Sequence, residues 1–232
     1  MRAMTAPTEL LTDPLPSEPL QVAQDWLQEA WNKGFTPNPN AMTLATCTTD
    51  GHPSARIVLC KDIVPSPGYV VFYTNYRSRK GRELGDNPRA AAVLHWDALH
   101  RQVRIEGIVE FAPAADSDRY FASRALQSRI GAWASAQSEP VATRAELLGA
   151  VDAAAHRFGV HVSTHEADAG RADAAVPRPP QWGGYRLWAD AVELWVEGAA
   201  RIHDRARWSR QLLRRTDGVF ETGAWSVTRL QP

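Results

Sequence analysis

The clearest strand pattern in the chain spans residues 42–62 and reads MTLATCTTDGHPSARIVLCKD. Apolar and β-branched residues dominate both halves, and the Asp50-Gly51 pair between them is a strong signal for a turn joining antiparallel strands. The pattern predicts a hairpin centred on this turn, with Cys47 opposite Ser54. That register keeps Cys47 and Cys60 far apart, so we predict no disulfide.

Strand-like patterns recur along the rest of the chain, separated by helical ones. Further strands are predicted at 69–74, 90–96, 102–111, 185–188, 192–196, 201–208 and 220–229. Helices are predicted at 20–34, from Ser78 to Asn87, from Asp116 as a cap, and at 144–158. These elements favour a mainly β protein, an antiparallel β-barrel with helices packed outside it.

The domain organisation follows from length and composition. A chain of 232 residues suits one substantial core, so we predict a single domain over residues 20–232. Residues 1–19 carry four prolines and little periodicity, which indicates a flexible N-terminal arm. Residues 159–180 lack a period and predict a mobile surface loop.

The charge balance excludes several classes of partner. Lysine plus arginine and aspartate plus glutamate both number 26, so no bulk field favours nucleic acid or an acidic membrane. There is no long apolar run and no secretory pattern, so we expect a cytoplasmic protein. His161 and His165 have a spacing that could suit a metal, but no third ligand accompanies them, and we predict no metal site.

Ser78-Arg79-Lys80 predicts a binding site for an anion. Ser78 is suited to cap a helix, and two cations in the first helical turn oppose the helix dipole unless an anion lies beside them. Free backbone amides together with Arg79 and Lys80 would form a phosphate cradle. The alternative is a helix that tolerates two exposed charges.

Arg201-Ile202-His203-Asp204-Arg205 predicts a second basic site. In a strand, Arg201, His203 and Arg205 would share one face, while Ile202 and Asp204 would face away to pack. Such a row favours contact with an anion or with water. A solvated basic strand is the alternative.

These motifs, in their order along the chain, resemble the pyridoxine/pyridoxamine 5'-phosphate oxidase family, whose members have an FMN-binding split barrel. The resemblance covers residues from about 20 to the C-terminus. The matching segments are Asn40-Ala41-Met42, Ala45-Thr46, Arg56 to Lys61, Phe72 to Asn75, Ser78-Arg79-Lys80, Asn87-Pro88, Arg101-Gln102-Val103, Tyr120-Phe121, Ser123-Arg124, Ile130 to Trp133, Gln137-Ser138, Trp182-Gly183-Gly184, Trp195, Arg201 to Arg205 and Arg229-Leu230.

The resemblance implies two sets of binding residues. FMN would contact Arg56, Ile57, Val58, Leu59, Cys60, Lys61, Tyr73, Thr74, Arg79, Lys80, Gln102, Gln137, Ser138, Trp195 and Arg205. The phosphate of a vitamin B6 substrate would contact Lys61, Tyr120, Arg124 and Ser128, and its ring would contact the catalytic residues Arg201 and His203. Two phosphates need two clusters of donors, and the sequence supplies both.

The resemblance also implies the reaction and the assembly. The substrate, pyridoxine or pyridoxamine 5'-phosphate, would pass a hydride from C4' to N5 of FMN, and dioxygen would then be reduced to hydrogen peroxide. Arg205 would stabilise the reduced flavin, and His203 could assist proton removal. A homodimer is expected. A related flavin oxidase of dihydrophenazine-type intermediates and a non-catalytic protein that binds FMN or pyridoxal phosphate are the alternatives.

Overall fold

The computed structural model describes residues 10–160, 175–216 and 219–232. The chain forms two compact units. The first, which we call the sheet unit, draws on Met1–Phe72, Asn87–Glu110 and Arg186–Pro232. The second, the helix unit, comprises Tyr73–Asp86 and Phe111–Tyr185. His161, His165 and the rest of residues 161–174, which make up most of the predicted loop at 159–180, lie outside the described residues.

Strands outnumber helices in the part of the chain that the structure describes, as the mainly β prediction requires. The strands are β1 (Ala41–Cys47), β2 (Pro53–Leu59), β3 (Asp62–Val64), β4 (Tyr69–Asn75), β5 (Arg89–Trp96), β6 (Arg101–Phe111), β7 (Trp182–Val196), β8 (Asp204–Ser209), β9 (Leu212–Arg214), β10 (Phe220–Thr222) and β11 (Ser226–Leu230). The α-helices are α1 (Pro19–Lys33), α2 (Arg79–Asp86), α3 (Ala114–Ala122), α4 (Leu126–Ala134) and α5 (Arg144–Arg157).

The predicted hairpin is confirmed as β1 and β2, but its register differs by one residue. Cys47 lies opposite Pro53 rather than Ser54, because β2 begins earlier than the pattern indicated. Both cysteines are free. Cys60 is buried, and this burial raises the pKa of its thiol to about 12.

The main sheet is antiparallel and has the strand order β11-β8-β7-β6-β5-β1-β2. β7 is one strand of 15 residues, so the prediction of two strands with a break near Asp190 was wrong. The side chain of Asp190 binds Arg89, and its carbonyl accepts the Arg210 N–H at 2.9 Å. These contacts satisfy a polar residue inside a strand that is otherwise largely buried.

The backbones of β6 and β7 approach closely at Gly107. A Cβ atom at this position would lie 1.8 Å from the carbonyl oxygen of Trp188. The apolar face of β6 carries Val103 and Ile105, both fully buried, so the close approach occurs within the core of the sheet unit.

The predicted first helix is confirmed as α1, which ends at Gly34 in the left-handed conformation (φ 64°). Its buried face includes Leu20, Ala23 and Trp26. The residues before it contact the same unit, since the Trp208 indole N–H donates to the Pro16 carbonyl at 2.8 Å.

The helices of the helix unit agree with the prediction in part. α5 is confirmed, with Thr143 capping it by accepting the Glu146 N–H. Asp116 is not the cap of α3: Pro113 occupies that position, and Asp116 lies in the first turn, where it pairs with Arg119. In the described ranges, no helix combines the length and apolar character needed to cross a membrane.

Two glycine substitutions test the close packing of the strands. Gly107→Ala should lower the free energy of unfolding by about 3 kcal/mol, because the new methyl group would overlap backbone atoms that cannot move aside. Gly149→Ala, in the exposed middle of α5 with nothing within 4 Å of the new Cβ, should raise it by about 0.5–1 kcal/mol. Urea denaturation measures both, and similar effects at the two sites would contradict the role given to Gly107.

Candidate active site

A buried ammonium group lies at the start of α2 in the helix unit. Ser78 accepts the Gly81 N–H at 3.3 Å, which confirms it as the predicted cap. The Lys80 Nζ donates to Thr74 Oγ1 at 2.9 Å, Ser78 Oγ at 3.2 Å and Gln137 Oε1 at 2.8 Å. We call Thr74, Ser78, Lys80 and Gln137 the lysine cluster.

The lysine cluster fits a phosphate group. Hydroxyl and amide groups that surround an ammonium can also contact a phosphate oxygen, and the ammonium supplies positive charge. The amino end of α2 adds partial positive charge. Arg79, the other predicted cation, is turned to Glu83, to which its Nε donates at 2.8 Å. Ser138 follows Gln137 with φ 73°.

A stack of aromatic rings lies in the same unit. The ring centroids of Tyr73 and Tyr120 are 4.0 Å apart, and those of Tyr73 and Trp182 are 5.5 Å apart, with planes within 23° of parallel. Phe121 packs edge-on against Trp182 at 5.1 Å. The predictions assigned no role to Trp182, although it begins the Trp182-Gly183-Gly184 segment.

Arg124 lies over this stack. Its guanidinium carbon is 4.6 Å from the Trp182 ring centroid, and its Nη1 is buried with no hydrogen-bond partner among the described residues. Burial lowers the pKa of Arg124, but an arginine remains charged at neutral pH. A cation held in this way suits an anionic group attached to a planar ring. Ser128, predicted to act with it, is exposed on α4.

The residues on and near the hairpin that were predicted to contact FMN lie in the sheet unit. Arg56 on β2 donates to the hydroxyls of Thr46 and Ser54, while Ile57 is 63% exposed. Val58 and Leu59 are half-buried, Cys60 is buried, and Lys61 is exposed. Gln102 on β6 lies opposite His95.

The prediction of a strand at Arg201–Arg205 was wrong for its first three residues. Ala199–Arg201 form a short 3-10 helix, with Ala200 and Arg201 at positive φ (54° and 64°), and β8 begins at Asp204. Ile202, expected to pack inward, is 72% exposed. The cause is a tight turn at Gly198, where a Cβ atom would lie 1.7 Å from the Ile202 carbonyl oxygen.

This turn orients His203. The Gly198 N–H donates to His203 Nδ1 at 3.3 Å, and the imidazole lies 4.7 Å from the Trp195 ring centroid. The neutral imidazole therefore carries its hydrogen on Nε2, which leaves a donor at that atom. A donor can orient a substrate, whereas the proton removal expected of His203 needs a free acceptor.

Charged side chains on β6, β7 and β8 form one connected group, which we call the charge row: Arg104, Glu106, Glu193, Arg205 and Arg207. Arg205 and Arg104 both bind Glu193, at 2.8 and 3.0 Å. Glu106 accepts from Arg104 at 2.9 Å and from Arg207 at 2.8 Å. The sequence predictions named only Arg205 of this group.

Structural comparison defines the fold. The chain is similar to PhzG from Burkholderia lata, whose structure was solved in complex with tetrahydrophenazine-1-carboxylic acid. The TM-score is 0.79 and the sequence identity is 29%, and the match covers 98% of this chain and 100% of that one. It also resembles a pyridoxamine 5'-phosphate oxidase-related, FMN binding protein from Nostoc punctiforme, with a TM-score of 0.64 and 14% identity over 92% and 98% of the two chains. The fold is the predicted antiparallel split barrel with peripheral helices.

Sequence comparison defines the family. The family model described as pyridoxamine 5'-phosphate oxidase matches residues 28–158, and one described as the pyridoxine 5'-phosphate oxidase C-terminal dimerisation region matches residues 182–232. A pyridoxine/pyridoxamine 5'-phosphate oxidase from Burkholderia lata is 45% identical over 93% of this chain and 89% of its own length. A pyridoxine/pyridoxamine 5'-phosphate oxidase from Cereibacter sphaeroides is 44% identical over 93% of this chain and 95% of its own length. The chain belongs to the pyridoxine/pyridoxamine 5'-phosphate oxidase family.

The charge row predicts a pH-dependent stability. Glu106→Gln should destabilise the protein near neutral pH and have progressively less effect below about pH 4.3, the ordinary glutamate pKa. Hydrogen bonding from Arg207, followed by the charges of Arg207 and Arg104, lowers the pKa of Glu106. Ionised Glu106 therefore stabilises the folded state at pH values above the ordinary glutamate pKa. This stabilisation is lost as the pH falls through the lower pKa that Glu106 has in the folded protein.

Urea denaturation of both proteins across this range measures the difference. A gap in stability that widened toward acid would contradict the assignment.

Proposed function

We propose that this protein is an FMN-dependent oxidase that converts pyridoxine 5'-phosphate, pyridoxamine 5'-phosphate or both to pyridoxal 5'-phosphate, reducing dioxygen to hydrogen peroxide. The observation that carries the proposal is Arg124: a half-buried cation over Trp182 whose Nη1 has no hydrogen-bond partner in the described residues. A phosphate on a small aromatic ring matches both features. Family membership supports the oxidase chemistry.

The lysine cluster supports FMN as the cofactor. Lys80, Thr74, Gln137 and the neighbouring Ser138 would hold the FMN phosphate, with Arg79 at its edge. When bound, FMN accepts two electrons from the substrate and passes them to dioxygen. The protein's own part is to bind, to orient and to exclude water.

The substrate-binding residues divide between phosphate and ring. Arg124 supplies charge to the phosphate, and Tyr120 lies beside it in the aromatic stack; Lys61 and Ser128 are proposed as further phosphate contacts. Arg201 and His203 are proposed to orient the ring. His203 does so as a hydrogen-bond donor through Nε2, because Gly198 occupies its Nδ1.

The proposed assembly is a homodimer. The match of residues 182–232 to a dimerisation region supports it, and that segment contains Trp195, Arg201, His203 and Arg205. Light scattering of the purified protein measures the assembly state.

A second candidate is oxidation of a reduced phenazine precursor. It is favoured by the similarity to PhzG, whose structure contains tetrahydrophenazine-1-carboxylic acid. Such a carboxylate could also pair with Arg124. The two candidates differ in the anion, a phosphate dianion in one and a carboxylate in the other.

The proposed function predicts a yellow protein that releases peroxide. The purified protein should show a flavin absorption spectrum and produce hydrogen peroxide with pyridoxine 5'-phosphate or pyridoxamine 5'-phosphate. Peroxide with a dihydrophenazine carboxylate alone would support the second candidate. Bound FMN without turnover of any of these substrates would contradict both candidate functions and favour a non-catalytic protein that binds the cofactor.

Arg124→Met should lower kcat/KM for the phosphorylated substrate by about 10- to 100-fold, since a charged hydrogen bond contributes about 1.5–3 kcal/mol. The loss should be much smaller with unphosphorylated pyridoxine, and FMN affinity should be unchanged. Arg119→Met is the matched control, because Arg119 lies on α3 five residues before Arg124 in the chain, is exposed and pairs with Asp116. Equal losses for pyridoxine and its phosphate would exclude Arg124 from phosphate binding.

A further inference from the structure

We propose that Glu193 is a positioning residue that holds the Arg205 guanidinium in place for the flavin and sets how much positive charge Arg205 presents there. The inference rests on the proposed function and on the contact between Arg205 and FMN that the family resemblance implies. It adds a buried carboxylate to that site, one that contacts neither ligand itself.

The strand register places Glu193 beside Arg205. Trp195 on β7 lies opposite Arg205 on β8, and Glu193 lies opposite Arg207. Residues two apart on a strand share a face, and so do cross-strand partners, so all four side chains lie on the same face of the sheet.

The hydrogen bonds hold the guanidinium plane at two edges. Arg205 donates through Nε at 3.1 Å and Nη2 at 2.8 Å to the same oxygen, Oε1, of Glu193. Its Nη1 donates to the Gln231 carbonyl at 3.0 Å. A planar group fixed in this way has little rotational freedom, and one N–H on each terminal nitrogen stays available to a ligand.

Burial strengthens the electrostatic interaction between Glu193 and Arg205. Its side chain is 3% exposed, so water screens its charge little. Arg104 donates to its other oxygen, Oε2, at 3.0 Å, which engages both oxygens of the carboxylate and offsets part of the cost of burying it. Among the described residues, Glu193 is the one carboxylate bonded to Arg205.

The charge row as a whole carries an excess of one positive charge, three arginines against two glutamates. Glu106 is shared by Arg104 and Arg207, so the charge on Arg205 is balanced mainly through Glu193. Removing the Glu193 charge should leave Arg205 more positive. A cation near a flavin favours its reduced, more negative state and so raises its midpoint potential.

The test compares Glu193→Gln with Glu106→Gln, which removes the same charge from the same row at a residue that does not touch Arg205. The midpoint potential of bound FMN is measured by equilibration with a reference dye, and FMN affinity by fluorescence quenching on titrating apoprotein. Neither measurement needs a substrate. Circular dichroism and urea denaturation report whether each variant folds.

The expected result is a shift of the flavin potential to a more positive value in Glu193→Gln, and a potential close to that of the unmodified protein in Glu106→Gln. Glu193→Ala, which also frees the guanidinium, should bind FMN about tenfold more weakly than Glu106→Ala. Loss of FMN from folded Glu193→Gln, with FMN retained by Glu106→Gln, would also support positioning.

Equal potentials in all three proteins, or equal shifts in the two Gln variants, would overturn the inference. So would a Glu193→Gln protein that fails to fold, because Glu193 would then be structural. If the unmodified protein binds FMN but oxidises no B6 phosphate, the proposed reaction fails while the Glu193 comparison can still be made. If it binds no FMN, both fail.

Discussion

The close contact between β6 and β7 at Gly107 is the constraint on which the sheet unit depends. Because no side chain separates the Gly107 Cα from the Trp188 carbonyl, the two neighbouring strands can lie this close. Alternation along β6 sends Val103 and Ile105 into the core and Arg104 and Glu106 to the opposite face. A shift of one residue would exchange the two sets and put charges into the core.

Two of the buried charged side chains, Lys80 and Glu193, are stabilised in different ways. Lys80 donates to hydroxyl and amide oxygens of three residues. Glu193 lies between two arginines, so its charge is more than balanced locally. Three arginines against two glutamates leave the charge row with net positive charge, which suits an anionic ligand.

Family membership restricts the type of reaction more than it restricts the choice of substrate. Relatives at about 45% identity carry the name of the B6 phosphate oxidase, while a solved structure at 29% identity holds a phenazine carboxylate on the same fold. Both kinds of ligand are planar, aromatic and anionic. The stack of Tyr73, Tyr120 and Trp182 under Arg124 suits that shared chemistry.

The elements with strong local signals could be predicted from the sequence alone. The Asp50-Gly51 turn, the apolar period of α1 and the Ser78 cap each depend on residues close together in the chain, and each was predicted correctly. The order of the motifs was enough to identify the family and the split-barrel fold. Lys80 was identified as a phosphate-binding candidate from its position in a helical turn.

The arrangement of the basic groups depends on contacts between residues far apart in the chain and could not be predicted from local patterns. Arg201–Arg205 looked like a strand because its residues alternate, but the turn at Gly198 brings the chain back on itself and delays β8 to Asp204. Trp182 and Glu193 were missed because their roles come from neighbours far along the chain, Arg124 in one case and Arg104 and Arg205 in the other. Local patterns report the backbone conformation, whereas the partner of a buried charge is known only once distant strands have paired.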